Sequence, residues 1–597
     1  MSDRSTQIKS SMIRYQITPS NPHAHLFDVV MTIEQPAQSQ QVWLPSWLPG
    51  SYMVRDFAKN IIGLKAVDGH GNPVAVTQLD KQTWQLLTDG QTVELHYQVY
   101  AWDLSVRTAF LDSRRGFFNG SSVFLAARGQ ENSEHRVTII PPASAALSDW
   151  KLATTLKRAS GNDWGFGDFY AADYDELIDH PVEMGCFTHT SFEACGVRHD
   201  IVLAGRHHTC LPRLCRDLKA ICEYQIKLFG EPAPFDRYLF MTAVLDEGFG
   251  GLEHRASTAL MCGRNDLPTS EQQGVDKGYR TYLSLCSHEY FHNWNVKRIK
   301  PARFVPYELE AESYTRQLWA YEGITSYYDD LLTLKSGRVD TQAYLQMLAE
   351  LMTRVYRGSG RTKQSLTDSS FNAWTKFYKQ DENAQNAIVS YYTKGALFAL
   401  LLDLTLRHET LGKHSLDDLM RLLWQEHGQT GIGTGDLSHQ QLVARLLGRE
   451  CDDLFAWLDS TDDLPLPEIL AKFGVKMSLR SSAGNTDTGG EGKALNIGFG
   501  AKYRAEAVGV KVITVAEGSP AMRAGLSAGD LLIAADGLKA TAALDKFLQQ
   551  YQPGQQIELV WLRRDELMLG MLPIEEAVAD TVVLELEDES KANAWLK

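Results

Sequence analysis

The residues best spaced for chemistry are His288-Glu289-Tyr290-Phe291-His292. On a helix, two histidines four positions apart share one face and can hold one Zn²⁺ between them. The Glu beside the first can then polarise a water on the metal. The flanking Thr281–Ser287 contains neither Gly nor Pro, so the spacing predicts a helix there. A catalytic zinc takes three protein ligands and keeps a fourth position open. Glu322 sits downstream in LWAYEGITSYY (318–328), a helix-like and nearly uncharged stretch. A carboxylate among Leu, Trp, Ile and Tyr is costly to bury unless it is paired or on a metal. Glu322 is therefore the candidate third ligand. Glu308, Glu310 and Glu312 are its rivals, in a more polar, loop-like segment after Pro301 and Pro306.

A second constellation is Gly248-Phe249-Gly250-Gly251-Leu252-Glu253-His254, which ends 34 positions before His288. Glycines let another chain approach the backbone closely. A carboxylate near zinc would pair with a cationic α-amine, whose ordinary pKa is about 7.7–8.0. The competing reading is a glycine-rich hairpin with an incidental Glu. His135 and His207-His208 lack a helical pairing with a carboxylate and read as loop or surface histidines. Arg55-Asp56 reads equally as a pocket pair or a structural ion pair.

The elements that must position these residues fall into three regions. The chain has 597 residues, ample for several buried cores. Residues 1–190 carry short apolar runs such as Leu26–Ile33, Val93–Val99 and Val137–Ile140 between Gly, Pro, Asn and Asp clusters, which predicts a β-rich domain. From about Asp200 the period lengthens. Leu214–Phe229, Lys277–Val296, Ser313–Leu334, Thr341–Tyr356, Tyr392–Leu406 and Ser415–Glu426 predict helices, so residues 191–465 form a mainly helical domain. Residues 466–597 return to short strands, at Val475–Leu479, Val508–Val515 and Gln556–Leu562. Ser481–Gly492 (SSAGNTDTGGEG) cannot build a core and reads as a mobile loop. The fold class expected is multidomain α+β.

Charge and composition exclude several classes. Lys+Arg is 59 and Asp+Glu is 74, a net charge of −15. General nucleic-acid or anionic-membrane binding needs a cationic surface, so neither is expected. Eight cysteines contain no C-x-x-C pair and fit free thiols in a reducing compartment. The N-terminus has no apolar signal region, and the most apolar run, Ala396–Leu402, stops at Asp403. That is far short of the roughly 20 residues a bilayer span needs. A cytoplasmic location without a membrane span is the expectation.

H-E-x-x-H followed by E-G on a second helix resembles the gluzincin metallopeptidases. The 29 residues between His292 and Glu322, and HNWNVKRIKP (292–301), resemble the PDZ-containing glycyl aminopeptidase family over nearly the whole chain. The resemblance implies a thermolysin-like catalytic domain with one Zn²⁺ per chain on His288, His292 and Glu322. Attack would come from a zinc-bound water, with Glu289 as general base and later proton donor. Glycines 250 and 251 would hold the substrate backbone and Glu253 its free amine. His254 and Leu252 stand where alanyl-type relatives have Asn and Met, and Tyr321 stands where they have Asn. Tyr392, in Tyr392-Thr393-Lys394-Gly395-Ala396, matches the oxyanion-binding tyrosine, with Tyr391 adjacent. The family implies release of N-terminal Gly, then Ala, from peptides with a free N-terminus. A zinc endopeptidase and a non-catalytic peptide-binding protein are the alternatives. Gly518-Ser519-Pro520-Ala521 through Asp536-Gly537 resembles bacterial PDZ domains. Gly498, Phe499 and Gly500 would then form a carboxylate-binding loop for a peptide or protein C-terminus.

Overall fold

The computed structural model describes residues 12–597, in two compact units that divide between Ser313 and Tyr314. The architecture is mixed α+β.

The first unit opens with an eight-stranded sheet. Its middle strands are Glu134–Ile139, Met12–Asn21, Leu26–Ile33, Val93–Tyr100 and Ile61–Asp68, in that order. Along Leu26–Ile33 every second side chain is buried (Phe27, Val29, Met31 and Ile33), because successive side chains point to opposite faces. Two four-stranded sheets pack within the same region.

Helices become frequent from Leu211 onward, and residues 188–263 form a five-stranded sheet. Its strands are β1 (Thr188–Ala194), β2 (Val197–Ala204), β3 (Arg237–Leu245), β4 (Phe249–Glu253) and β5 (Ser257–Gly263). The order is β1-β2-β3-β5-β4, with β2, β3 and β5 parallel and β4 antiparallel at the edge. The β3 run RYLFMTAVL is buried on both faces and shows no alternation, which hides it from a period-2 reading. Helix α1 spans Leu211–Phe229 and α2 spans Lys277–Phe291. The Asp276 carboxylate accepts from the Tyr279 N–H and caps α2.

The second unit contains α3 (Ile324–Lys335), α4 (Thr341–Tyr356) and α5 (Thr393–Glu409). A π-helical turn, Trp319–Gly323, leads directly into α3. Helix α5 is buried along nearly its whole length, which explains its all-round apolar sequence. The C-terminal sheet includes the edge strand β6 (Ala501–Ala505). Val475–Ser481 pairs with Ala579–Leu586, and Trp595 near the chain end donates its indole N–H to the Tyr327 hydroxyl of α3 at 3.0 Å.

The segment Ser481–Gly492, expected to be mobile, is instead pinned. Asp487 accepts from Arg480 at 2.6 Å and holds the N–H of Ala483, also at 2.6 Å. Gln346 of α4 donates to the Gly489 carbonyl at 3.0 Å. The Asn485 side-chain amide brackets Tyr503 of β6, accepting its N–H at 3.0 Å and donating to its carbonyl at 2.6 Å. A composition that cannot make a core of its own is ordered here by polar contacts to other elements. All eight cysteines are free thiols, four of them buried. No helix among the described residues is long and apolar enough to cross a membrane.

Candidate active site

In the first unit, Glu253, Glu289 and His292 each present a ligand atom within 4.8 Å of the other two. All three side chains are buried. Glu253 ends the edge strand β4, while Glu289 and His292 come from the last turn of α2 and its C-cap. His288 and His292 lie one turn apart with ring centroids at 4.6 Å, the juxtaposition their spacing predicts. His292 Nδ1 donates to the Asn295 carbonyl at 2.7 Å, which leaves the lone pair on Nε2, the arrangement a metal-ligating histidine uses.

The two glycines of β4 do different things. A Cβ on Gly251 would lie 1.9 Å from Glu289 Oε1, so only glycine lets the strand pass over that carboxylate. A Cβ on Gly250 would meet only Arg107 Nη1 at 3.9 Å and Val106 Cγ2 at 4.0 Å. A third glycine acts on the same site from far away in the chain. Gly50, at φ +93°, would place a Cβ 2.5 Å from both Glu253 oxygens, so the Pro49–Ser51 backbone roofs that carboxylate. Trp47 holds this roof in place by donating its indole N–H to the carbonyls of Glu308 and Ala311 at 2.9 and 2.8 Å. Arg55 and Asp56 do not pair with each other: Arg55 donates to Ser51 Oγ at 2.8 Å, and Asp56 bridges Lys81 at 2.6 Å on the surface.

Glu253 Oε1 is buried without a hydrogen-bond partner among the described residues. An unpaired buried carboxylate oxygen beside a second carboxylate calls for a cationic group. His254, in the position where relatives carry Asn, faces Asp179 at 3.4 Å, and Asp179 also pairs with Lys297 at 2.7 Å and Arg255 at 2.8 Å. Burial pushes the Asp179 carboxyl up, but Lys297 and Arg255 outweigh it and hold it well below the usual carboxylate range. This cluster fixes the end of β4. Val296, at φ 108°, is a strained β-branched residue in the turn after the histidines.

In the second unit, Glu322 is 2% exposed and lies in the π-helical turn Trp319–Gly323. Such turns recur at functional sites. A Cβ on Gly323 would lie 2.6 Å from the Gly395 backbone, and one on Gly395 would lie 2.9 Å from Gly323 Cα. This glycine-on-glycine crossing seats the Glu322 turn against the start of α5, where Tyr391 and Tyr392 stand. Burial, and then the Glu322 charge, push the Tyr392 phenol well above its ordinary value. Tyr392 lies 3.4 Å from the Tyr378 hydroxyl, whereas the Tyr391 side chain is fully buried. Gly498, Phe499 and Gly500 line a cavity of about 430 Å³ together with Lys502 and Arg357. The Gly498 N–H is already taken by the Glu575 carbonyl at 3.3 Å, so it is not a spare donor for a ligand.

The donor set suits zinc: two imidazoles on one helical face and buried carboxylates, with no thiolate among them. The arrangement can hold a metal, seat a cation at Glu253 and move a proton at Glu289.

Comparison with known proteins gives a consistent picture. Residues 14–186 match the peptidase M61 N-terminal domain, residues 281–398 match the M61 glycyl aminopeptidase family, and residues 511–563 match a PDZ domain. A crystal structure of an aminopeptidase N family protein from Idiomarina loihiensis is 46% identical, with a TM-score of 0.96, over 98% of this chain and 100% of that one. An M1 zinc metallopeptidase from Deinococcus radiodurans is 16% identical, with a TM-score of 0.48, over 77% of this chain and 95% of that one. No curated protein matches the chain.

Proposed function

Because the chain belongs to the M61 glycyl aminopeptidase family of metallopeptidases, we propose that it releases N-terminal Gly, and next Ala, from peptides with a free α-amine. His288, His292 and Glu322 hold one Zn²⁺ in this reading. A bound zinc supplies a Lewis acid for the scissile carbonyl and acidifies water at neutral pH. Glu289 takes the proton of the attacking water and returns it to the leaving amine. Glu253 seats the substrate ammonium, and Gly251 keeps β4 clear of Glu289. Tyr392 donates its hydroxyl to the developing oxyanion; its raised pKa keeps it protonated for that task. The Gly50 backbone beside Glu253 favours a first residue with little or no side chain.

The observation that carries this reading is the partnerless Glu253 oxygen, buried within 4.8 Å of Glu289 and His292. An endopeptidase has no use for an anionic anchor at that distance from its base. The test is hydrolysis of glycyl p-nitroanilide against its N-acetyl form, in the parent protein and in Glu253→Gln. The parent is expected to cleave only the free-amine form, and E253Q to lose most of that rate. Comparable cleavage of both forms by the parent would remove the anchor and point to an endopeptidase.

At the C-terminus, the PDZ region takes a peptide or protein C-terminus in this reading, near Gly498–Gly500.

A further inference from the structure

Arg107 lies in the loop between Val93–Tyr100 and Ala109–Leu111, far from the candidate site in sequence. Its Nη2 donates to the Gly251 carbonyl at 3.2 Å. A guanidinium has five N–H donors, and this is the one side-chain hydrogen bond Arg107 makes among the described residues. Its Nε is buried with no acceptor, and it has no carboxylate partner among them. The loop is stiff. The fully buried Asn119 amide donates to the Val106 and Thr108 carbonyls at 2.9 and 3.4 Å, on either side of Arg107. Ser105 Oγ accepts the Arg107 N–H at 3.0 Å. An arginine held this firmly, with most of its donors unused, is set up for an anion.

The edge strand says which anion. His254 donates its N–H to the Ser257 carbonyl at 2.9 Å, and the register carries that bonded pair on to Leu252–Ala259 and Gly250–Met261, so the even-numbered residues of β4 bond towards β5. In an antiparallel ladder the alternate residues, Gly251 and Glu253, then turn their N–H and C=O outward to the open edge. Arg107 is therefore in line with a chain added along that edge. Gly251 and Glu253 are two residues apart, about 7 Å along a strand. The α-amine and terminal carboxyl of an extended dipeptide are separated by about 6 Å. Side chains of an added strand leave by its faces, and only its main chain passes along the edge.

We infer that Arg107 binds the C-terminal carboxylate of a dipeptide whose amine sits on Glu253, so that dipeptides with a free carboxylate are preferred substrates. This rests on the aminopeptidase reading. A longer peptide offers Arg107 only a neutral carbonyl, with no ion pair and no two-oxygen acceptor for the guanidinium fork.

The test is the ratio of kcat/KM for Gly-Ala to that for Gly-Ala amide, measured within each preparation of the full chain: parent, Arg107→Lys and Arg107→Gln. Both substrates carry the same amine and the same scissile bond, so a general loss of activity or of folding leaves the ratio alone. The parent is expected to favour the free acid about tenfold. R107Q should bring the ratio to about one, and R107K should fall between. A parent ratio near one, or a parent-like ratio in R107Q, would overturn the assignment. Failure of the parent to cleave glycyl p-nitroanilide as well would overturn the aminopeptidase reading and this inference with it.

Discussion

Replacing Gly251 with alanine puts one methyl group where the Glu289 side chain now lies. The Cβ would be 1.9 Å from Oε1, 2.4 Å from Cδ and 2.7 Å from Cγ. Ordinary contact begins at 3.4 Å, so the carboxylate must retreat by about 1.5 Å. Glu289 is 5% exposed and has little room to do so except by turning away from its present position. A displacement of about 1 Å in a catalytic group costs roughly 100-fold. We expect kcat for glycyl p-nitroanilide to fall at least about 100-fold, roughly 2.7 kcal/mol in the barrier. Zinc content and melting temperature should stay near those of the parent. The neighbouring Gly250→Ala is the control: its Cβ meets nothing closer than 3.9 Å, so its loss should stay below about tenfold. Activity of G251A within about threefold of the parent, or equal losses in the two variants, would refute the proposed placement of β4 over the general base.

Glu322→Gln should fold but come off gel filtration with much less than one zinc per chain, and should be inactive. The parent should be silenced by a chelator and restored by added Zn²⁺; full zinc in E322Q would move the third ligand elsewhere. His439 gives a pH prediction. It is 2% exposed against the rings of Trp319 and Tyr321, and burial pushes its pKa down to about 3. An unfolded histidine titrates near about 6.5, so between these values the unfolded chain holds one more proton. Stability should fall as the pH drops below about 6.5, by about 2 kcal/mol from this group by pH 5. His439→Leu should flatten the urea-unfolding pH dependence in that range, and an unchanged slope would show that His439 does not stay neutral on folding.

The legible parts were those set by local periodicity. Two histidines four apart define one helical face, and α2 places them side by side as their spacing requires. Leu26–Ile33 and Thr341–Tyr356 form with the predicted limits, because alternation or a 3.6-residue stripe is a property of the segment itself. The β3 strand was harder, since burial on both faces erases the alternation. Ser481–Gly492 was misjudged because its order comes from Gln346, Tyr503 and Arg480, which composition does not show. The glycines of E-G and K-G-A could be marked in sequence, but the reason for them, a backbone crossing at Gly323 and Gly395, belongs to packing.

By itself, then, the sequence determined the chemistry on offer: a zinc-suited H-E-x-x-H, a buried-carboxylate candidate at Glu322 and a glycine-flanked Glu253. Tertiary structure alone decided what stands around Glu253. Gly50 roofs its carboxylate from about 200 positions away and Arg107 lines the open edge from about 150, each on a loop fixed by contacts remote in the chain. No spacing rule links residues so far apart, because the chain between them is free to take any path until the sheets pack.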